Sequence, residues 1–364
     1  MWFTPRIIGD PAGSVNPEAR GRGSGRRIGR MNEMPETFQA FVVEKVDDRV
    51  ERGVRSFRSA DLAPGEVGLR VDWSSVNYKD GLASIANGKV ARISPLIPGI
   101  DMAGVVLLSD DPDLPPGIGI LAHGYELGVS RHGGFGQYNR LPAGWVVPLP
   151  AGLSGREAMV IGTAGFTAGL SVARLEARGL TPSSGPVLVT GASGGVGRMA
   201  VSILLERGYE TWASTGKAAA HEDLRALGVS GILARDEVVA ESSRPLDSER
   251  WAAAVDSVGG STLPYLLRTL RHGGGIAATG NTGGAAFSTT VFPFILRDVS
   301  LIGIDSSAVP IDERRSMWER LATDLRPRNL GERVSEIGLD GVEAALDGIL
   351  AGQAHGRWIV RLAE

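Results

Sequence analysis

The stretch from Val187 to Arg207 constrains the fold of this chain more than any other. Four apolar or β-branched residues, Val187–Thr190, predict a short buried strand, and Val196–Arg207 predicts a helix. Between them lies the glycine-rich turn Gly191-Ala-Ser-Gly-Gly-Val-Gly197. Glycines at such a turn let the backbone approach a ligand closely, and the helix N-terminus behind them offers free N–H groups to a pyrophosphate. Because the glycines stand between a strand and a helix, they predict a dinucleotide site.

The segments around this turn predict an α/β fold with a second, β-rich domain. Short alternating segments before it, Phe38–Val46 and Val67–Trp73, predict strands, and the glycines and prolines that follow them indicate long loops. A helix predicted from Ser154 to Glu176 leads into the next region. After the turn, strands alternate with helices such as Ala219–Leu227 and Ser261–Leu270, which implies a doubly wound parallel sheet. Its further predicted strands are Glu210–Ser214, Gly231–Ala234, Ala252–Asp256, Gly275–Thr279 and Val299–Ile304, and Trp358–Leu362 is a last strand.

Composition excludes several classes of function. The 364 residues suffice for roughly two domains. Because the net charge is only −3, we expect neither nucleic acid nor a membrane surface as a partner. The chain has no cysteine, so disulfides, thiolate zinc sites and a cysteine nucleophile are excluded, and nothing indicates an oxidising compartment. Its five histidines show no metal-ligand spacing. We therefore predict a cytoplasmic protein without a metal site.

Residues 1–33 differ from the rest of the chain. They contain six arginines among glycines and prolines but no long apolar run, which is not the pattern of a secretory signal. An arginine-rich arm could contact an anionic partner. The low hydrophobicity favours a disordered extension, or translation that starts at Met31 or Met34 instead.

The end of the second predicted strand indicates which dinucleotide binds. In a Rossmann unit, an acidic residue at this place accepts a hydrogen bond from the adenosine ribose and selects NAD. Here the segment Ser214-Thr-Gly-Lys217 carries hydroxyls and a cation instead, and Arg235 follows the third strand. Such groups suit a 2′-phosphate, so we predict NADPH. The alternative is an ordinary polar loop with solvated cations.

Two further positions are candidates for chemistry in the first domain. Tyr78, in Asn77-Tyr-Lys-Asp80, could donate a proton or hold a carbonyl oxygen during a reduction. An equally good interpretation is a helix start with a partly buried tyrosine. Asp101 is a single acid among apolar residues, so if it is buried it needs partners, and we expect a structural hydrogen-bonding role.

Together these motifs resemble the zinc-free acrylyl-CoA reductase branch of the medium-chain dehydrogenase/reductase superfamily, whose members are often called quinone oxidoreductases. The resemblance covers residues 37–364, and its motifs keep the family's order. The pair formed by Asn77–Asp80 and Pro293–Arg297 is more specific than the glycine turn. The matching segments are Ser74–Asp80, Ile97–Asp101, Ile161–Thr167, Thr190–Gly197, Arg244–Leu246, Pro293–Arg297 and Gly303–Ser306.

The resemblance implies a fold and a set of site residues. The fold would be a GroES-like β-rich catalytic domain (34–158), a Rossmann NADPH-binding domain (159–304) and a C-terminal return to the first domain (305–364). Tyr78 would contact the cofactor and donate a proton, and Gly162 and Thr163 would border the nicotinamide. The remaining implied cofactor-binding residues are Ser193, Gly194, Gly195, Val196, Thr215, Gly216, Lys217, Arg235, Asn281, Ile295, Ser306 and Gly352.

The same resemblance implies NADPH-dependent reduction of an activated C=C bond, with acryloyl-CoA as the first candidate substrate. Arg92 and Arg297 are candidates to pair with phosphates of CoA, although solvated surface arginines are an equal alternative. Quinones or free enones are the alternative substrates, and a non-catalytic NADPH-binding sensor is a third hypothesis. A homodimer is a further expectation. Three residues depart from the family pattern near the predicted acyl site: Tyr125, Arg131 and His132. In addition, Gly352 stands where the family has a polar residue that can contact the cofactor.

Overall fold

The computed structural model describes residues 33–47, 49–239, 242–354 and 356–363. The predicted N-terminal extension, apart from Glu33, lies outside these residues. The described residues from 33 onward form one compact unit. The three-part domain division of residues 34–364 therefore stays a prediction.

The first part of the chain is rich in antiparallel strands, as predicted. Strands β1 and β2 pair with each other, and β3 pairs with β4, β4 with β5, and β5 with β7, all antiparallel. One short helix, α1, follows β3 directly and begins at Tyr78. The elements are β1 (Thr37–Val46), β2 (Arg49–Arg58), β3 (Val67–Ser75), α1 (Tyr78–Ala83), β4 (Asp101–Ser109), β5 (Gly119–His123), β6 (Tyr138–Leu141) and β7 (Val147–Pro148).

Helix α2 (Gly155–Glu176) begins where the sequence predicted. The Ser154 side chain accepts a hydrogen bond from the Glu157 N–H, and the Glu157 carboxylate accepts one from the Ser154 N–H, so two free donors of the first turn are satisfied. The helix is long and apolar enough to cross a membrane, but most of its apolar stretch is buried inside the protein. It is broken at Gly162, whose φ of 51° and ψ of −163° are not helical.

The middle of the chain forms a six-stranded parallel sheet with the strand order β10-β9-β8-β11-β12-β13. This is the order of a Rossmann fold, and its ligands bind beyond the carboxyl ends of the strands. The elements are β8 (Val187–Thr190), α3 (Gly195–Glu206), β9 (Thr211–Thr215), α4 (His221–Leu227), β10 (Gly231–Ala234), β11 (Trp251–Asp256), α5 (Thr262–Thr269), β12 (Leu270–Ala278), α6 (Phe292–Arg297) and β13 (Ser300–Gly303).

The predicted strands of this sheet are confirmed to within one residue, except for β12, which begins at Leu270 and not at Gly275. Leu270 lies opposite Trp251, and the register shifts before Ala253 pairs with Gly275. The glycines at 273–275 form an irregular part of the strand, with Gly273 at a φ of 73°. The predicted helix Ser261–Leu270 is accordingly one residue too long at each end.

The last part of the chain returns to the first sheet. It contains α7 (Ile311–Ala322), β14 (Val334–Ile337), α8 (Val342–Leu350) and β15 (Arg357–Arg361). Strand β15 pairs antiparallel with β3, and β14 pairs parallel with β15, which completes a seven-stranded sheet. Segments from opposite ends of the described chain therefore lie side by side at β3 and β15.

A continuous apolar core connects the two sheets through α2. Buried residues of α2 pack with Ala103 of β4 and Leu121 of β5, and also with Val187 and Val189 of β8. Trp318 of α7 is completely buried in the same core. The broken helix α2 is thus placed between the loop after β3 and the carboxyl end of β8, where the predicted site residues lie.

Candidate cofactor and active site

The glycine turn has the geometry that a pyrophosphate site requires. Gly191 has a φ of 59°, in the left-handed region that glycine adopts without strain. A Cβ on Gly197 would lie 2.3 Å from the Gly191 carbonyl oxygen, so only glycine lets α3 pack this close to the turn. Gly194 is the N-cap of α3, and Gly195 and Val196 form its first turn. Their N–H groups begin a helix of 12 residues, whose partial positive charge favours an anion.

Predicted residues of the adenosine side come together beside this turn. Ser193 Oγ lies 2.8 Å from Thr215 Oγ1, which also accepts a hydrogen bond of 3.1 Å from the Lys217 N–H. A Cβ on Gly216 would lie within 2.9 Å of the Arg235 guanidinium, so the arginine packs directly on the glycine. Two hydroxyls and two cationic side chains therefore surround the end of β9, where the sequence predicted a 2′-phosphate.

The two cations at this edge have no acidic partner. Lys217 Nζ donates to the Gly352 carbonyl oxygen at 2.5 Å, and neither Lys217 nor Arg235 forms an ion pair within the part of the chain that the structure describes. Cationic side chains that form no ion pair with a carboxylate remain available to a phosphate. The residues present fit a dinucleotide with a 2′-phosphate, and the hydrogen bond to Gly352 explains how a glycine can belong to this site.

Tyr78 begins helix α1, and its side chain is 50% exposed. The helix start is well defined, because the Asn77 N–H donates to Asp80 Oδ2 at 2.8 Å. Asp80 Oδ1 accepts two more hydrogen bonds, from the Gly99 and Ile100 N–H groups. The helix-start interpretation is confirmed, but the tyrosine ring is half-exposed and its phenol is open to a ligand.

Asp101 is fully buried, and its carboxylate is surrounded by donors, which confirms the expected hydrogen-bonding role. Asp101 Oδ2 accepts from Asn77 Nδ2 at 2.8 Å and from the Thr163 N–H at 3.0 Å. Ser75 and Thr163 donate their hydroxyl protons to the same carboxylate. Asp101 thereby joins the end of β3 to the second half of α2.

Gly162 makes this junction possible. Because the helix is broken there, the Thr163 N–H lies at the start of a new helical segment. It donates instead to the Asp101 carboxylate, which acts as an acidic cap. A Cβ on Gly162 would lie 2.6 Å from Asp101 Oδ2 and 2.8 Å from an Arg357 nitrogen. Any side chain here would separate the two charged groups.

Arg357 on β15 is the cation of this buried group, and the sequence analysis did not identify it. Its guanidinium donates to Asn77 Oδ1 at 3.2 Å, Ser75 Oγ at 2.9 Å and the Val160 carbonyl at 3.2 Å. It also lies 3.9 Å from Asp101 Oδ2. A Cβ on Gly195 would lie 3.6 Å from the same guanidinium. Arg357 therefore stands between the residue before Tyr78 and the glycine turn.

Burial in this interior shifts the pKa of Asp80 and the pKa of Arg357. Burial, assisted by the negative charge of Asp101, raises the pKa of Asp80 to about 7. Burial lowers the pKa of Arg357, while the charges of Asp101 and Asp80 oppose that effect. One proton on Asp80 leaves Asp101 and Arg357 as a balanced pair.

His123, at the end of β5, continues the polar network toward Ser306. Trp318 Nε1 donates to His123 Nε2 at 2.9 Å, so the ring proton is on Nδ1, which lies 3.4 Å from Thr163 Oγ1. Burial, and the charge of the adjacent Arg314, hold the pKa of His123 well below its usual value. Thr167 Oγ1 lies 2.7 Å from both Ser306 Oγ and the Thr163 carbonyl. The structure thus brings Ser306 next to Thr167, one helical turn after Thr163.

The other predicted residues lie further out. Asn281 is exposed in the loop after β12, its Cα near Gly259, at the carboxyl edge of the sheet. Ile295 is 67% exposed on α6. Arg92 is mostly exposed and lies 3.6 Å from Glu126. The predicted cofactor and substrate contacts of these three residues stay predictions.

The structure gives Arg297 a different position from the one predicted. Its guanidinium donates to the carbonyl oxygens of Asp247, Arg268 and Leu270, and its Nε lies 3.5 Å from Glu249. Leu270 is the first residue of β12, at the amino edge of the sheet, whereas the glycine turn is at the carboxyl edge. Because its donors are used and it is on the wrong edge, Arg297 is not available to a substrate phosphate at this site.

Two of the residues that depart from the family pattern, Arg131 and His132, make contacts within the first part of the chain and not at the proposed site. Arg131 donates to the carbonyl oxygens of Ala63 and Arg140, and His132 Nδ1 accepts from the Ile97 N–H at 3.2 Å with its ring against Phe57. Tyr125 is nearer to the site, since its N–H donates to the Ser307 carbonyl and its ring stacks on Trp145. Of the three, only Tyr125 adjoins a predicted cofactor residue.

Of the functional residues that the sequence did not reveal, Arg357 stands in a pattern that could have indicated it. Arg357 is the one charge at the start of the apolar run Trp358–Val360, in the way that Asp101 begins an apolar strand. A lone charge in a buried strand needs a partner of opposite sign, and these two are each other's partner. The residues His123 and Arg314 gave no comparable signal, because neither stands in a recognisable motif.

Two protein-family models match the chain. The model described as "Alcohol dehydrogenase GroES-like domain" matches residues 63–151, and the model described as "Zinc-binding dehydrogenase" matches residues 195–323. No group of three or more metal-ligating side chains lies together among the described residues.

Full-length relatives are similar over nearly the whole of the described chain. A Bacillus subtilis protein named "Putative quinone oxidoreductase YhfP" is 48% identical over 90% of this chain and 100% of its own length. The acrylyl-CoA reductase AcuI of Ruegeria pomeroyi is 44% identical over 89% of this chain and 98% of its own length.

Solved structures agree with these matches. The Escherichia coli YhdH structure with bound NADPH has a TM-score of 0.85 and 42% identity, covering 89% of this chain and 100% of that one. The Bacillus subtilis yhfP structure with bound NAD has a TM-score of 0.87 and 48% identity, covering 89% of this chain and 99% of that one.

Proposed function

Because the chain belongs to the zinc-free medium-chain dehydrogenase/reductase family, we propose that it is an NADPH-dependent oxidoreductase that reduces activated C=C bonds, with acryloyl-CoA as substrate and propionyl-CoA as product. One observation of geometry supports this most. Arg357 connects Asn77, which adjoins the half-exposed Tyr78, to Gly195 in the glycine turn. Tyr78, the proposed proton donor, thus follows a residue that is hydrogen-bonded to the guanidinium beside the proposed dinucleotide site.

NADPH, when bound, supplies the hydride that adds to the β-carbon of the acyl group. The residues of this chain bind and orient it: the first turn of α3 faces the pyrophosphate, and Lys217 and Arg235 face the 2′-phosphate. Gly162 and Thr163 border the nicotinamide end, where Thr163 is fixed by Asp101. We further assign cofactor contacts to Asn281, Ile295 and Ser306.

Tyr78 is the proposed proton donor. Addition of hydride to the β-carbon places negative charge on the α-carbon and the thioester oxygen, and the Tyr78 phenol protonates the α-carbon to complete the saturated thioester. The exposed Arg92 is the proposed contact for a phosphate of CoA.

A direct assay separates the possible substrates. The purified protein is mixed with NADPH and either acryloyl-CoA, 1,4-benzoquinone or a simple enone, and the loss of NADPH absorbance is followed. We expect the highest kcat/KM with acryloyl-CoA, with propionyl-CoA identified by mass spectrometry. Turnover with benzoquinone alone would support the second candidate, a quinone reductase, which the name of the 48% identical relative favours. NADPH binding without turnover would indicate a sensor.

The role of Tyr78 is tested by Tyr78→Phe. Loss of a positioned proton donor lowers kcat by about 100-fold or more, with little change in KM for NADPH. Tyr138→Phe is a matched control, because that ring packs on Phe38 in the first sheet. Equal activity of Tyr78→Phe and the control would exclude the tyrosine as donor and leave water in that role.

We also propose a homodimer that forms through α6 and β13. Val291, Ile295 and Leu296 are 58–67% exposed, which is unusual for apolar side chains that lie together. Strand β13 is an edge strand of the six-stranded sheet, next to α6 in the chain, and a second copy could pair with it. Light scattering should give a dimer for the wild type and a monomer for Val291→Glu/Leu296→Glu, and a wild-type monomer would contradict the proposal.

The proposed reaction belongs in the cytoplasm, where NADPH and acyl-CoA are available. A fluorescent fusion or cell fractionation checks this. Recovery of the protein in the membrane fraction would contradict it.

A further inference from the structure

Arg198 lies in the first turn of α3, directly after Gly197, and the family resemblance assigns it no role. Its side chain faces a cavity between α3 and α4 that also contains Ser193 and Lys217 of the predicted adenosine site. We propose that Arg198 is a further specificity-determining residue, which binds the 2′-phosphate of NADPH and strengthens discrimination against NADH.

The position of Arg198 follows from the packing of its neighbour. Gly197 is pressed against Gly191, which fixes the rotation of the helix, and the Arg198 N–H donates to the Gly194 carbonyl at 2.9 Å. The side chain that follows is directed toward the start of α4. The cavity there is lined by Ser193, Arg198, Lys217, Ala220, Asp223 and Arg333, among others.

The charges of this cavity favour an anion. Three cationic side chains and one carboxylate line it, and that carboxylate, Asp223, already forms an ion pair with Arg333. Among the described residues, the Lys217 ammonium donates to one main-chain carbonyl oxygen and to no carboxylate. The Arg198 guanidinium has no hydrogen-bond acceptor and no ion pair among the described residues. Burial lowers its pKa, while the charges of Asp223 and Glu332 oppose that effect. Burial of a cation that no carboxylate pairs with directly is unfavourable, and a bound phosphate would offset that cost.

The 2′-phosphate is the anion that fits this position. The ribose of a Rossmann dinucleotide lies at the end of the second strand, which here is Thr215, and Thr215 Oγ1 lies 2.8 Å from Ser193 Oγ in the wall of this cavity. A guanidinium can donate two parallel hydrogen bonds to a phosphate, which an ammonium cannot. Arg198 would therefore complement Lys217 from the opposite side, on α3.

The test uses two nucleotides that differ only in this phosphate, 2′,5′-ADP and 5′-AMP, and measures their Kd by calorimetry. In Arg198→Met, loss of a charge-assisted contact should raise the Kd of 2′,5′-ADP by about tenfold or more. It should change the Kd of 5′-AMP by less than about twofold. Arg225→Met is the matched control, since it removes an exposed cation of neighbouring α4 that does not line the cavity. Arg198→Lys should recover part of the affinity.

The inference rests on the dinucleotide site of the proposed function and not on the acceptor, because the test contains no substrate. Equal weakening of both nucleotides, or no weakening of 2′,5′-ADP, would overturn the role of Arg198 alone. If the wild type binds neither nucleotide, the cofactor site itself is wrong. Equal Tm values of the two methionine variants confirm that both remain folded.

Discussion

The two ends of the proposed cofactor cleft are constructed differently. At the adenosine end, most of the groups come from short contiguous segments, such as 193–196 and 215–217, and of the predicted cations there Arg235 is exposed and Lys217 is half-buried. At the other end, Asp80, Asp101 and Arg357 are buried, and they come from α1, β4 and β15. The first end depends on local sequence and on charge, whereas the second depends on long-range packing and on balanced hydrogen bonds. Substitutions should therefore affect binding at one end and stability at the other.

The largest effect should come from Arg357→Met. Removing the guanidinium leaves Asp101 as a buried charge without a cation, which costs about 3–5 kcal/mol of the free energy of unfolding. Denaturant unfolding measures this, and Asp101→Asn/Arg357→Met should recover part of the loss, because the charge is removed with its partner. If Arg357→Met lowers the free energy of unfolding by less than about 1 kcal/mol, as expected for an exposed ion pair, then the two ends of the cleft do not differ in their contribution to stability.

The second effect concerns pH. Asp80 has its ordinary pKa of 3.8 in the unfolded chain and a pKa of about 7 in the native state. Between pH 3.8 and pH 7, therefore, the native state binds a proton at Asp80 that the unfolded chain does not bind. Its contribution is fully present below pH 3.8 and is lost as the pH rises through 7. We expect a loss of about 4 kcal/mol from this group between pH 4 and 8. Asp80→Asn should lack this part of the slope, and an unchanged slope would refute it.

The third effect is that of Gly162→Ala, which should lower the free energy of unfolding by about 2 kcal/mol more than its control. The control is Gly179→Ala, since Gly179 also has a positive φ but has no atoms within 4 Å of an added Cβ. The difference between the variants isolates the contact with Asp101 and Arg357. Equal losses would mean that only backbone strain matters at the break in α2.

The smallest effect on stability, and the clearest on binding, should come from Lys217→Ala/Arg235→Ala. Both side chains are at the open end of the cleft, so Tm should change little, while KM for NADPH rises about tenfold or more relative to KM for NADH. Steady-state kinetics with both cofactors measure this. If the ratio of the two KM values stays constant, the 2′-phosphate assignment is wrong.

The same division determines what could be predicted from the sequence. The strand, turn and helix at 187–207 lie within one short segment, so their pattern predicted the dinucleotide turn of the Rossmann sheet. The segment 214–217 predicted the hydroxyl groups and the cation beside that turn. The break at Gly162 and the role of Arg357 were not predictable, because each depends on an atom contributed by a distant segment. Arg297 illustrates the opposite case. It is a charged residue in a recognised motif and was a candidate to bind the substrate, whereas its guanidinium donates to main-chain carbonyl oxygens of neighbouring segments.

The pairing of β15 with β3 has a consequence for how the chain folds. Arg357 and Asn77 are separated by 280 residues, and the six-stranded sheet lies between them in the chain. Contacts of such sequence separation form late, because the entropy of closing the loop must be overcome first. We expect the inserted sheet to form while the two halves of the other sheet are still apart. A kinetic intermediate with a formed six-stranded sheet, in which Asp101 still lacks its cation, is the expected consequence.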